Sequence, residues 1–509
     1  MPAYNGPWTT AAQLYSRAVS ASISIVWFRN DLRLADNPAL NAAAQRGGPV
    51  IPVFIWAPDE DEPWSPGAAS QWWLHQSLAR LDAAVRTHGA RLIIRNGPTL
   101  AALRALIQET GATAIFWNCR YEPAIAARDA AIAAALLSDG CAAHSGNGTL
   151  LFEPGAVSTH AGKPFQVFTP FWNACRAAPQ PVAPLSAPAG LPAPLRWPAT
   201  ATVSQLTLEP SIDWAAGMRA AWQPGEGGAH EQLARFLDGA VARYPAARDR
   251  PDMIGTSRLS PHLHFGEISA RQVWHAVHAR CAIDVTPGLL QGGDAYLRQL
   301  GWREFAHHLL FHFPWTTDAP LRPAFSQFPW SDDAVSLRAW QRGCTGYPIV
   351  DAGMRELWDT GWMHNRVRML VASFLVKDLL LPWQAGARWF WDTLVDADLA
   401  NNTLGWQWTA GCGADAAPFF RVFNPMTQGQ KFDPDGVYVR RWLPELAGLP
   451  SRWIHQPWLA PVVELRRAGV EMGRTYPQPI VDHALARARS LAAFARVKKR
   501  GSQAQVPRA

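Results

Sequence analysis

"SISIVWFRNDLRLADNPAL", Ser22–Leu40, is the stretch on which the fold turns. It starts as a run of β-branched and aromatic residues, the pattern of a buried strand. It then enters a charged, turn-rich segment where nucleotide-binding open sheets carry a glycine fingerprint, and no G-x-G-x-x-G stands there. Three similar runs follow: "PVIPVFI" (Pro49–Ile55), "RLIIR" (Arg91–Arg95) and "ATAIFW" (Ala112–Trp117). Between them lie Ala/Leu-rich helical patterns at about Ala68–Thr87, Thr99–Glu109 and Ala124–Leu137. Strand and helix in alternation predict a Rossmann-like α/β domain with a parallel sheet over residues 22–152.

The chain has 509 residues, too many for one compact core, so a second domain is expected. Apolar residues make up 48% and charged residues 17%, a globular composition. No apolar run reaches the length of a membrane span; "MLVASFLV" runs straight into Lys377 and Asp378. The first 21 residues lack the apolar core of a secretory signal, which predicts a cytoplasmic protein. Six cysteines stand far apart with no C-x-x-C, which argues against a metal site or a disulfide framework. A net charge of +7 and a pI near 9.3 are compatible with a polyanionic partner.

Residues 153–228 are rich in proline and alanine ("APQPVAPLSAPAGLPAPLRWP") and read as an interdomain linker. From 229 to 497 the pattern is helical throughout, and "EISARQVWHAV" opens with a capping box of Ser269 and Gln272. Residues 498–509 read as a short basic, disordered tail, and 1–21 as an N-terminal extension.

Three segments of the helical part carry polar chemistry. In "GTSRLSPHLHFGEIS", Gly255 allows close backbone approach, Thr256, Ser257 and Ser260 offer hydroxyls, and Ser260–Pro261 has the form of an N-cap with a first-turn proline. A phosphate site and a plain helix cap both fit those residues. In "GWMHNRVRM", helical spacing puts Trp362, Asn365 and Met369 on one face with Arg368 beside them and Arg366 elsewhere. Salt bridges from these arginines to Asp396 or Asp398 would suffice to explain them. In "DADLANNTLGWQW", Asp396–Trp408, two acids and two adjacent asparagines sit amid apolar sequence beside two of the chain's 26 tryptophans. An arginine–aspartate pair next to Asn402 suits a polar heterocycle, and Trp406, Trp383 and Trp330 form a string suited to single-electron hopping. Ordinary packing would also account for these tryptophans.

Together these stretches resemble the photolyase/cryptochrome family, over Ser22 to about Ala492. The motifs "WFRNDLRLADNPAL", "GTSRLSPHLHFGEIS", "WREF", "GYPIVDAGMREL", "GWMHNRVRMLVASFLVKDLL" and "GADAAPFFRVFNP" occur in one order. The wording, "PGAASQWWLHQSL" included, is most similar to bacterial class III photolyases of cyclobutane pyrimidine dimers. The resemblance implies an α/β domain, a long linker and an all-helical domain holding one non-covalent FAD. By similarity, Tyr244, Thr256, Ser257, Leu259 and Ser260 bind its phosphate and ribitol, and Trp362 also lies against it. Arg303, Arg368, Asp396, Asp398 and Asn402 surround the isoalloxazine, with Asn402 facing N5. Trp406, Trp383 and Trp330 match a photoreduction triad, and Trp389, Trp391 and Trp408 offer side branches.

The implied substrate is UV-damaged DNA, its dimer flipped into the pocket and split by an electron from photoexcited reduced flavin. Trp302 and Trp408 match the aromatic wall, Asn365 and Met369 the cyclobutane-dimer pattern, and Arg248 and Arg366 the phosphate contacts. Gln299 stands where dimer photolyases carry a glutamate, and Tyr296 where class I enzymes carry a tryptophan. The class I folate-contact pair falls on Ala124 and Ile125, so that site is absent; methenyltetrahydrofolate held as in class III, a deazaflavin, or no antenna remain open. The expected state is a monomer without metal or membrane. A sensory cryptochrome is the main alternative, opposed by the dozen residues that follow the helical domain, and a (6-4) photolyase is a lesser one.

Overall fold

The computed structural model describes residues 22–283, 286–416 and 420–504. The N-terminal extension 1–21, residues 417–419 of the "GADAAPFFRVFNP" motif and 505–509 of the basic tail lie outside them. The C-terminal helix His483–Ala504 runs past Val497, where a disordered tail was expected.

The first domain is a five-stranded parallel sheet in the order β3-β2-β1-β4-β5: β1 Ser24–Phe28, β2 Val50–Trp56, β3 Ile93–Asn96, β4 Ala114–Asn118 and β5 Ala142–Gly146. Period-two alternation sorts its residues into two layers. Val26, Phe28, Phe54 and Phe116 face α1 (Pro38–Gln45) and α2 (Ala68–Thr87). Ile25, Trp27, Val53 and Ile115 face α3 (Thr99–Thr110) and α4 (Pro123–Ser138). The sequence reading omitted β5 and α1. β5 is "AAHSG", with no β-branched residue, and forms only because the edge of β4 is open to it. α1 did carry a signal: Asn37 caps it by accepting from Leu40 N at 3.1 Å, and Pro38 takes the first turn.

The proline-rich connector is structured at both ends. Its helix Phe168–Ala177 buries Phe168, Phe171, Trp172 and Cys175 among residues of the helical domain. Farther on, Leu191, Leu206, Met218 and Trp222 pack with the α2 layer of the sheet. Beyond it the described residues are helical, with the Ser269–Gln272 capping box formed in both directions ahead of the helix Ala270–Ile283.

The β1–α1 loop, lacking a phosphate-binding glycine motif, docks the other domain. Arg33, fully buried, donates to the carbonyls of Gly266 (2.8 Å), Asp36 (2.6 Å) and Gly148 (2.6 Å). Asp36 accepts from Arg271 at 2.8 and 3.1 Å, from Ser269 Oγ at 2.5 Å and from Leu185 N at 3.0 Å. Gly266 has φ +63°, and a Cβ there would lie 2.2 Å from the Asn30 carbonyl oxygen, so only glycine lets the backbones meet. Behind this contact Glu267, fully buried, accepts from Trp73 Nε1 (3.0 Å), Gly225 N (2.7 Å), Ser77 and His262.

Asp36→Ala should strand Arg271 and Ser269 in the buried contact and cost about 3 kcal/mol or more. The check is a denaturant midpoint at constant flavin loading; an unchanged midpoint would mean the clamp contributes nothing.

Candidate functional site

Three helices of the second domain pack together around the candidate residues: Leu289–His312, Asn365–Ser373 and Leu399–Ala410. Asp396, buried just ahead of the third, accepts both of its bonds from Arg368 Nη2, at 2.8 and 3.0 Å. Arg368 Nε is held in turn by the Met363 carbonyl at 2.7 Å. Asp398 has other partners. It caps the third helix by accepting from Asn401 N at 2.8 Å and faces His307 (3.5 Å) and His264 (3.9 Å). Burial alone would raise its carboxyl, but His307, His264 and Arg303 outweigh that and hold it well below the usual carboxylate range. Asn402 donates from Nδ2 to the Ala387 carbonyl at 3.0 Å, which leaves its Oδ1 as an acceptor for a bound group.

Two expectations need correction. Trp362 precedes the helix that begins at Asn365, so it does not share a helical face with Asn365 and Met369; His364 is the N-cap, its Nδ1 accepting from Arg366 N at 3.2 Å. Ser260 is the first residue of a five-residue helix whose cap is Leu259, and Ser260 Oγ accepts from Trp362 Nε1 at 3.2 Å. So short a helix adds little dipole. An anion at this loop would have to be held by its side chains. Thr256 is half-buried; Ser257, buried, accepts from Tyr296 OH at 3.0 Å. Tyr296 thus braces the loop through a hydroxyl that a tryptophan would not have. Arg258 lies between the Trp222 and Trp362 rings, 4.2 and 5.0 Å from their centroids, with its Nε buried and unpartnered. Burial pushes the Tyr244 phenol up to about 12, so it remains a donor.

The tryptophan string is held by one core. Trp406 is buried against Phe390 and Trp340, with ring centroids at 5.0 and 6.2 Å. Its ring lies on Gly386, where a Cβ would come within 2.0 Å, one turn from buried Trp383 in the helix Trp383–Thr393. Trp330 is tied to the segment before Trp383 by Ser331 N donating to the Leu380 carbonyl at 2.7 Å. Trp389 stacks in parallel on exposed Trp358, and Trp391 donates to the Ser65 carbonyl at 2.7 Å.

The DNA-facing candidates divide into a stacked wall and a polar cluster. Trp302 stacks on Phe168 at 3.9 Å and 7°, so the linker helix covers one of its faces. Trp408 is half-buried, its Nε1 donating to the Asp415 carbonyl at 3.1 Å; Met369 packs on the core and Asn365 is exposed. Arg248 Nη2 donates to Gln299 Oε1 at 3.2 Å, and Gln299 Nε2 makes a long 3.4 Å contact to Ala295 O. Arg366 pairs with Asp249 at 2.8 Å, its guanidinium 4.4 Å from the centre of the Phe432 ring. Sequence reading missed Asp249, His264, His307 and Phe168, because each gains meaning only from a partner distant in the chain.

At the carboxyl edge of the sheet two adjoining clefts face the helical domain. Trp56, Trp64, Arg120, Arg128 and Trp391 wall one, and Glu122, Ala124, Ile125, Thr317 and Trp391 the other. Among the described residues no helix is long and apolar enough to cross a membrane, and no cluster of three or more His, Cys, Asp or Glu is arranged to hold a metal ion.

Comparison with known proteins follows this geometry. Residues 24–190 match the family model described as DNA photolyase, and residues 296–496 the FAD binding domain of DNA photolyase. The deoxyribodipyrimidine photo-lyase of Agrobacterium fabrum is 51% identical over 93% of this chain and 98% of its own. Cryptochrome-1 of Arabidopsis thaliana is 44% identical over 92% of this chain and 70% of its own. The crystal structure of a bacterial class III photolyase from Agrobacterium tumefaciens superposes with a TM-score of 0.91 at 49% identity, covering 96% of this chain and 100% of that one.

Arg303 donates to the Thr149 carbonyl at 3.1 Å, and its neighbour Glu304 accepts from Leu151 N (2.9 Å) and Phe152 N (3.1 Å). Glu304 Oε1 is buried without a hydrogen bond, 3.7 Å from Arg303 Nη1, and burial pushes the carboxyl up to about 7 against the pull of Arg303. A folded-state value above the unfolded one gives stability that is complete below about pH 4.5 and is lost as pH rises through about 7. The loss amounts to about 3 kcal/mol. Glu304→Gln should flatten the fall in stability between about pH 5 and 8 relative to the parent; parallel pH profiles would contradict it.

Proposed function

The chain belongs to the photolyase/cryptochrome family, and from that premise we propose that it is a deoxyribodipyrimidine photolyase repairing cyclobutane pyrimidine dimers in UV-damaged DNA under blue light. Its cofactor is FAD, which when reduced and excited supplies the one electron that opens the cyclobutane ring and takes it back. The donor set suits that cofactor: hydroxyls of Thr256, Ser257 and Ser260, an unpartnered buried Nε on Arg258, and an open acceptor on Asn402. The Arg368–Asp396 pair and Asp398 are charged groups already held by other bonds, so they present fixed dipoles to the ring edge.

The observation that carries the reading is the Arg248–Gln299 contact, which puts a cation for DNA phosphate and an amide for a pyrimidine carbonyl in one hydrogen bond. With its Oε1 held by Arg248 and one N–H directed at the Ala295 carbonyl, Gln299 keeps its second N–H to donate to the flipped dimer. Trp302, backed by Phe168, and Trp408 offer ring faces for stacking. Trp406, Trp383 and Trp330 carry electrons inward to restore the reduced cofactor. A folate, a deazaflavin or no antenna all fit the chain; where one is bound, the clefts at the carboxyl edge of the sheet, lined by Trp64 and Trp391, are the place proposed for it.

Chemically reduced protein under blue light should remove thymine dimers from an oligonucleotide, with no loss in the dark. Bound but unrepaired substrate, with the flavin reduced, would favour the sensory reading and make Gln299 the residue to restore to glutamate. Trp406→Phe should abolish photoreduction of oxidised FAD while pre-reduced protein still repairs; undiminished photoreduction would remove Trp406 from the route.

A further inference from the structure

Asp249 belongs to no motif, yet it joins the residues at the mouth of the site. Its Oδ2 lies 2.8 Å from Arg366 Nη2 and its Oδ1 3.8 Å from Arg248 Nε, while Arg248 Nη2 reaches Gln299 Oε1 at 3.2 Å. The line Arg366–Asp249–Arg248–Gln299 thus ties the helix Asn365–Ser373 to the helix Leu289–His312 through the turn after Ala247. The Asp249 and Arg248 side chains are 34% and 29% exposed and that of Arg366 is 17% exposed, so the carboxylate stands at the rim, open to solvent. Arg366 is confined further by Phe432 beneath it.

We propose that Asp249 is a positioning and specificity residue for damaged DNA, a carboxylate that stands in for backbone phosphate between Arg248 and Arg366. This rests on the reading above that the two arginines meet the DNA backbone.

An arginine has five N–H donors, and Asp249 engages one of Arg366 at close range, leaving others for a phosphate. Holding both guanidiniums reduces the entropy lost when DNA arrives and keeps Arg248 in register with Gln299. The same charge repels an incoming phosphate. Undamaged duplex meets that repulsion with no base to offer the pocket. A dimer, cheaper to extrude, uses the Arg248–Gln299 register that Asp249 maintains and so regains part of that cost, a gain closed to intact DNA. Asp249 therefore lowers binding to all DNA but lowers it more for intact DNA, which is specificity by penalising the wrong partner.

The test compares Asp249→Asn, Asp249→Ser and Asp249→Glu with the parent, each checked for flavin content. Affinity for a dimer-containing duplex and for the same duplex undamaged is measured across a range of salt. The two neutral variants should bind undamaged duplex about 5-fold more tightly at low salt and lose several-fold in discrimination. Their salt dependence should steepen by about one counterion. Asp249→Glu, which keeps the charge, should remain near the parent. A purely structural role would move none of the salt slopes. Unchanged discrimination in both neutral variants overturns the proposal. Arg248→Gln and Arg366→Gln separate the two readings: if they weaken dimer binding while the Asp249 variants do nothing, only the stand-in role fails. If neither weakens it, the DNA mouth is misplaced and both readings fail.

Discussion

The bonds of Arg33 and Asp36 between the two domains are the constraint from which the rest follows. Neither residue is exposed; Arg33 reaches the Gly266 carbonyl of the opposite domain, and Asp36 is paired there with Arg271 and bonded to Leu185 N of the connector. A buried ion of this kind is destabilising unless every partner is present, so the contact tolerates one relative placement of the domains. It lies where an open α/β sheet would ordinarily hold a ligand, at the loop after the first strand. Here that loop grips Phe265–Arg271, the continuation of the "GTSRLSPHLH" segment. The sheet therefore acts on the candidate site at a distance, by fixing the loop proposed to hold the flavin phosphate.

Within the helical domain the same economy recurs. Asp396 spends itself on Arg368, and Asp398 on a helix start and two histidines, so the acids are oriented before any ligand binds. Asn402 is pinned through its NH₂, which leaves its oxygen for a ligand; Gln299 is held through its oxygen by Arg248 and through one N–H by Ala295, which leaves its second N–H. An uncharged amide at Gln299 has no acidic proton to give, so in the proposed reading hydrogen bonding and the arginines carry the electrostatic stabilisation. The tryptophans gain their order from packing, with Trp406 seated on a glycine one turn from Trp383.

Much of this was legible in the chain. The short apolar, β-branched runs at Ser22–Phe28 and Ala112–Trp117 and the helix Ala68–Thr87 follow from patterns that water itself sorts, so α/β topology could be read without a structure. The "GTSRLSP", "GWMHNRVRM" and "DADLANN" segments announced a polar site because polar residues in apolar helices require partners. The identity of the partners was not legible. Arg368 had two acids to choose from, and the turn Val395–Asp398 gave it Asp396 while turning Asp398 toward His264 and His307. β5 had no sequence signal at all, and Asp249 had no motif. Hydrogen bonds and ion pairs depend on directions and on distances between residues far apart along the chain, and only the folded chain sets those. Burial patterning depends on composition along a few turns of chain, and that the sequence determined alone.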